Sequence, residues 1–172
     1  MLFDLTIIGF GVIGVETLHG LKKNLLKKKN KKEIKIAVIE KKIDNIPGGI
    51  AYSQVNSKFG FFNNPLRLSH PEFIKWFNLN NNKRRILQFA EENSDYNLNE
   101  WSKKNKYILK KRFNDYDEIY LPRLIYSFFL KDKIINFLGI KKKLNIKLEF
   151  YKGEAINIKK KKYYDITPHQ FF

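Results

Sequence analysis

The tightest constraint on this chain lies in its first forty residues. A short apolar run, Leu5-Thr6-Ile7-Ile8, leads directly into Gly9-Phe10-Gly11-Val12-Ile13-Gly14. A stretch with helical spacing follows, and then a second apolar run from Ile34 to Ile39 ends in Glu40. Strand, G-x-G-x-x-G turn, helix, strand and acid in this order predict a β-α-β unit with parallel strands. Each small residue has a physical reason. Gly9 lets the chain turn sharply out of the strand. Gly11 lacks a Cβ, so phosphates can approach the backbone. Gly14 lets the helix lie close to the sheet. The helix N-terminus offers free N–H groups and a positive dipole end to a pyrophosphate. The Glu40 carboxylate suits the hydroxyls of an adenosine ribose. A lone glycine motif would be weak evidence, but here the flanking strand, helix and acid all agree with a dinucleotide-binding turn over a plain glycine turn.

The first helix is predicted from Val12 to about Lys27, with Val15, Leu18, Leu21 and Leu25 on one buried face and Asn30 as its stop. After Glu40 comes a long excursion, about residues 41–118. It holds Pro47-Gly48-Gly49, Ala51-Tyr52, the run Phe59 to Phe62, Asn63-Asn64-Pro65 and Ser69-His70-Pro71. Pro71 is expected to open a short helix with Phe73, Ile74 and Phe77 packed and Trp76 beside them. Asn78 to Asp117 reads as exposed helix and loop. A further helix is expected from Tyr120-Leu121-Pro122-Arg123 to about Leu138. Its apolar face would hold Leu124, Phe128, Ile135 and Leu138, widened by Ile125 and Phe129, with Gly139 as C-cap. Three β-like runs follow, Ile146 to Tyr151, Ala155 to Ile158 and Tyr163 to Thr167, with Lys159 to Lys162 as a turn.

Composition removes several classes. At 172 residues the chain suits one domain with a core, and with no cysteine it has no disulfide, thiolate metal site or cysteine nucleophile. The N-terminus lacks a basic region and carries Asp4, so no signal peptide is expected in it. No apolar run approaches the ~18 residues that cross a bilayer. A cytoplasmic protein is expected. The formal charge of +17 invites a nucleic-acid or membrane-surface partner, but the lysines are spread in short runs: Lys22-Lys23, Lys27 to Lys29, Lys103-Lys104, Lys110-Lys111, Lys141 to Lys143 and Lys159 to Lys162. They read as a solvated face, with neither a specific nucleic acid nor a membrane as partner.

Four stretches together resemble the FAD-NAD(P)-binding proteins that include FAD-dependent urate hydroxylase-like enzymes. These are Ile8 to Gly14; Gly48-Gly49-Ile50-Ala51-Tyr52, similar to a G-x-A-Y loop; Phe62-Asn63-Asn64-Pro65 with Leu68-Ser69 and Phe73 to Phe77, similar to an L-N-x-P segment and an F-x-x-W-L helix; and Leu121 to Tyr126, similar to V-P-R-x-x-Y. The resemblance runs over about residues 3–167. It implies an α/β, Rossmann-like FAD-binding domain with a long insertion after the second strand. Gly9, Gly11 and Gly14 would hold the pyrophosphate and Glu40 the ribose. Tyr52, Asn63 and Arg123 would lie near the flavin, and Ala155 at the adenine. FAD is the implied cofactor and NAD(P)H the implied co-substrate of a flavin-dependent oxidoreductase of monooxygenase type. Relatives of this kind are longer, so the resemblance also implies a truncated gene, a frameshifted product or a split enzyme, the last with a second chain carrying the remainder. Ser127 stands where the family has glycine.

Alternatives stay open beside each residue. Arg123 is a flavin or anion contact or a surface arginine, Tyr52 a cofactor cover or a packing ring, and Asn63 a cofactor contact or a turn residue. His70 is a proton-transfer group or a structural loop histidine. His19 and His169 have no ligand-spaced partner, and no metal site is expected. Glu91-Glu92 and Asp115, Asp117 and Glu118 read as salt-bridged surface. A non-catalytic nucleotide-binding remnant or interaction module is the rival function, and a basic nucleic-acid-binding protein the third.

Overall fold

The computed structural model describes residues 2–28, 32–52, 60–110, 119–160 and 164–169. The expected helix stop at Asn30, the acidic cluster at Asp115, Asp117 and Glu118, and the end of the Lys159 to Lys162 turn lie outside them. Strand β1 (Leu5–Ile8) feeds helix α1 (Val12–Lys28), which returns as β2 (Ile34–Glu40). Four helices follow: α2 (Gly49–Tyr52), α3 (Pro71–Phe77), α4 (Asn80–Glu92) and α5 (Tyr96–Lys110). Helix α6 (Arg123–Ile140) then leads into β3 (Ile146–Lys152), and β4 (Glu154–Lys160) and β5 (Tyr164–His169) close the described fold.

The sheet order is β1-β2-β3, all parallel, with Leu5 opposite Ile36 and Ile34 opposite Ile146. Strands β4 and β5 form a separate antiparallel pair. β2 is the middle strand, and Ile36, Ala37, Val38 and Ile39 are buried in sequence, as expected of a strand covered on both faces. Helices α1 and α6 pack side by side. Val15, Leu18 and Leu25 of α1 join Leu124, Ile125, Phe129, Leu130 and Phe137 of α6 in one core with the strands.

The fold departs from expectation in three places. Residues 78–110 are not a surface of low content. Helices α4 and α5 bury Ile86, Ala90, Leu98, Trp101, Ile108 and Leu109 in the same core. Their apolar residues recur every three or four positions, enough for a buried stripe inside a polar composition. Second, α6 is phased differently: Ile135 is 58% and Leu138 38% exposed, whereas Leu130, Lys133 and Phe137 are buried. Third, α6 runs through Gly139 to Ile140, and the reversal is made by Asn145, which takes a left-handed φ of 54°. Asparagine tolerates that conformation better than most side chains.

Candidate functional site

The glycine turn adopts the geometry its spacing demands. Gly9 has a φ of +80°, which a side chain would strain. A Cβ on Gly14 would stand 2.9 Å from the Gly9 carbonyl oxygen and 2.9 Å from the Phe10 ring, so only glycine lets α1 approach this closely. The Gly9 N–H donates to the Ile39 carbonyl at 2.8 Å, which fastens the turn to β2. Glu40 completes it. Its Oε2 accepts the Phe10 N–H at 2.7 Å, and its Oε1 accepts the Lys42 N–H at 2.9 Å. The carboxylate at the end of β2 therefore holds the turn at the end of β1, and each oxygen keeps lone-pair capacity for a further donor.

The sequence left Gly48 and Gly49 out of the site proper. They bring a second backbone segment against the turn. Gly48 forms a parallel bridge to Gly11, and a Cβ on Gly11 would lie 3.7 Å from the Gly49 Cα. Gly48 and Gly49 have φ of +113° and +63°, so both need glycine. The doublet itself was the available signal, since adjacent glycines after a proline mark a turn with positive φ.

From this contact a line of rings leads away. Tyr52, at the end of α2, has its ring 5.1 Å from Tyr126 and 5.8 Å from Phe62. Tyr126 stands 4.8 Å from Phe73, edge to face. Burial first, with the nearby Glu16 carboxylate adding, pushes the Tyr126 hydroxyl up to about 12, so the phenol keeps its proton. Tyr52 is thus half-buried packing between the second glycine segment and α6.

Arg123 and Asn63 are brought together. The Arg123 Nε–H donates to the Phe61 carbonyl at 2.9 Å, and an outer guanidinium nitrogen approaches Asn63 Oδ1 at 3.4 Å. The Arg123 backbone N–H donates to the Gly60 carbonyl at 2.7 Å. Arginine and asparagine here hold the segment of residues 60–63 onto the start of α6. Ser127, in the position where glycine was expected, donates its hydroxyl to the Leu124 carbonyl at 2.6 Å and is buried, so the helix satisfies it internally.

Ala155 is placed by β2. The Gly153 N–H donates to the Glu40 carbonyl at 3.0 Å, and Lys41 pairs with Glu154 at 2.6 Å. Ala155 therefore sits beside Glu40, half-buried. Gly9, Gly11, Gly14, Glu40 and Ala155 all lie at the carboxyl ends of the parallel strands, the edge at which open α/β sheets bind ligands. His70 stands apart from this edge: its Nδ1 accepts the Glu72 N–H at 3.3 Å as the N-cap of α3.

A network with no sequence signal lies behind the rings. Lys133 of α6 is buried and donates to both Glu16 oxygens at 2.6 and 2.8 Å, and its Nζ lies 3.1 Å from Glu72. Its ammonium also stands 4.4 Å from the centre of the Phe129 ring. Lys23 pairs with Glu72, and this hydrogen bond, with that of Lys133, holds the carboxyl down to about 2. His19 Nε2 faces Glu72 at 3.5 Å, and burial, with Lys133 adding, lowers the imidazole below its ordinary value. The cluster locks α1, α3 and α6 together. Its members are far apart in sequence, so no spacing announced it. Among the described residues, no group of three or more histidine, aspartate and glutamate side chains is arranged to hold a metal ion.

Comparison with known proteins agrees with this geometry. A family model described as FAD-NAD(P)-binding matches residues 6–167, which is most of the chain. No curated protein and no solved structure matches.

Proposed function

The chain belongs to the FAD-NAD(P)-binding family, and from this premise we propose that it holds FAD at the glycine turn as the cofactor-binding part of a cytoplasmic, flavin-dependent NAD(P)H oxidoreductase of monooxygenase type. The observation that carries the reading is the turn itself: a left-handed Gly9, a Gly14 with no room for a Cβ, and a Glu40 carboxylate fixed at the end of the neighbouring strand. In this reading the free N–H groups at the start of α1 meet the pyrophosphate. Glu40 takes ribose hydroxyls with its remaining lone pairs, and Ala155 borders the adenine. Gly48 and Gly49 present backbone without side chains beside Gly11, where a bulky ligand needs clearance. Tyr52, Asn63 and Arg123 lie along the path leading from Gly49 and border the flavin half.

FAD supplies hydride acceptance and, once reduced, reactivity toward oxygen, so no nucleophile is required of the chain. Its own residues position the cofactor and shape the site around it. The Glu40 carboxylate also disfavours a 2′-phosphate at the ribose, so FAD is preferred over NADP. The test is calorimetric titration of FAD into wild type and Gly11→Val. A Cβ at Gly11 stays in ordinary contact with the Gly48–Gly49 backbone at 3.7–3.9 Å, and urea unfolding of the variant checks that the fold is kept while the added methyls crowd the turn. FAD affinity should fall at least about tenfold, the worth of about 1.4 kcal/mol of lost contact. Equal affinity for both proteins would sink the assignment.

A further inference from the structure

We propose that the pole of the molecule opposite the glycine turn is a docking surface for an anionic lipid membrane. In sequence the lysines are dispersed; the fold gathers five of them. Helices α1 and α6 lie side by side and run in the same direction, because Glu16 meets Lys133 and, further along, Lys22 meets Asn136. Both therefore end at the same level, at the amino ends of β2 and β3, where Ile34 pairs with Ile146. Lys27 and Lys28 finish α1. Lys141, Lys142 and Lys143 follow α6 and are folded into a tight turn by two hydrogen bonds, Asn145 N–H to the Lys142 carbonyl at 3.0 Å and Ile146 N–H to the Lys141 carbonyl at 2.9 Å. Four of the five side chains are exposed and Lys141 is half-buried.

The nearby acids are engaged elsewhere. Glu33 stands 3.8 Å from Lys35, and Asp4 accepts the Lys35 N–H. Among the described residues, none of the five lysines has a carboxylate partner. Helix dipoles account for part of this charge, but each helix end is equivalent to only about half an elementary charge. Five cations at two helix ends exceed that demand.

The character of the patch favours lipid over nucleic acid. Leu26 and Leu138 are exposed just above the lysines. Residues 24–28 and 138–145 contain no arginine and no aromatic ring. Nucleic-acid surfaces draw on arginine forks and stacking rings. Lysine point charges with apolar side chains among them suit a headgroup layer, where the ammonium groups meet lipid phosphates and carboxylates and the leucines enter the acyl boundary. Docked this way, the glycine turn faces away from the membrane and stays open to a cofactor.

The experiment is co-sedimentation of the full 172-residue chain with vesicles of phosphatidylcholine, alone or with about one-third phosphatidylserine, at near-physiological salt. Two variants remove four charges each: K27Q/K28Q/K142Q/K143Q at the pole, and K75Q/K104Q/K110Q/K152Q elsewhere. A lysine near an anionic surface is worth about fivefold in affinity, so the pole variant should lose at least about thirtyfold and the control less than about fivefold. Equal losses would reduce the effect to net charge and overturn the proposal, as would equal binding to pure phosphatidylcholine. Duplex DNA or RNA that displaces the chain from vesicles at matched phosphate would assign the pole to nucleic acid instead. A second readout needs no charge change. The chain lacks cysteine, so Leu26→Cys and Ile50→Cys each carry one environment-sensitive dye. The dye at position 26 should shift to the blue on anionic vesicles and the dye at 50 should not. A shift at 50 without one at 26 would overturn the orientation.

Discussion

The two ends of helix α1 are built on opposite principles. At its start, the work is done by side chains that are missing: Gly9, Gly11 and Gly14 shape the turn, and Gly48 and Gly49 close on it from a second segment. At its finish, the work falls to long charged side chains, Lys27 and Lys28, joined by the lysines that follow α6. Between the ends, Glu16 and Lys23 fix the helix to α3 and α6 through Lys133 and Glu72. The difference teaches where substitution is costly. Demands at the first end are set position by position: a Cβ on Gly14 overlaps the Gly9 carbonyl and the Phe10 ring, and the positive φ of Gly9 strains any side chain. Charges in the middle are shared, so each loss is partly absorbed. Charges at the last end face solvent and bear little on folding.

This ordering can be broken by measurement. Gly14→Val should be the most damaging change, costing about 3 kcal/mol, because its Cβ would overlap the Gly9 carbonyl and the Phe10 ring. Urea unfolding checks it, and a loss under about 1 kcal/mol would show that the first end does not depend on close approach. Lys133→Ala should cost about 2 kcal/mol, since it leaves Glu16 and Glu72 facing each other without their shared cation. Lys133→Met keeps the buried stem packed and should cost less. Equal losses would assign the effect to the lost cation alone, with nothing from packing.

Acid unfolding gives a smaller signal. The folded state holds Glu72 down to about 2 against an ordinary 4.5, so the unfolded chain binds its proton first. The stabilisation is fully present above about pH 5 and is lost as pH falls toward 2. The carboxylate is partly exposed, and screening reduces its worth to about 1 kcal/mol. His19 acts in the same acid direction, because lowering its folded value removes stability as pH falls through the ordinary histidine range. Denaturant midpoints recorded from pH 7 to pH 3 should flatten in Glu72→Gln, and an unchanged slope would remove Glu72 from the lock. Smallest of all, Lys27→Gln and Lys142→Gln should each change stability by less than about 0.5 kcal/mol. A larger loss would mean that the lysines at the last end hold the fold after all.

What could be read beforehand follows the same division. β1, α1 and β2 stand where the sequence predicted them, because each is set by consecutive residues and by glycines whose reason is local. Glu40 at the end of β2 was equally legible from the same local pattern, whereas Ala155, on β4 of the separate antiparallel pair, came only from the family resemblance. The phase of α6 was not. Its sequence is apolar on nearly every side, so hydrophobicity alone could not choose a face, and the pairing of Lys133 with Glu16 across the fold settles it. Arg123 and Asn63 were legible as a pair of interest, but not their mutual contact or their hold on residues 60–61. The basic pole was hidden for the reason that the glycine turn was visible: it is assembled from two segments at opposite ends of the sequence.

One feature of the turn bears on speed as much as on strength. The Phe10 N–H is held by Glu40 and Gly11 is bridged to Gly48, so the turn is fixed by the chain's own groups. A dinucleotide entering here has little backbone to organise, so the entropy of ordering the loop is met during folding and not during capture. Association should then be governed by encounter instead of rearrangement, and differences among ligands should emerge in how long each one stays.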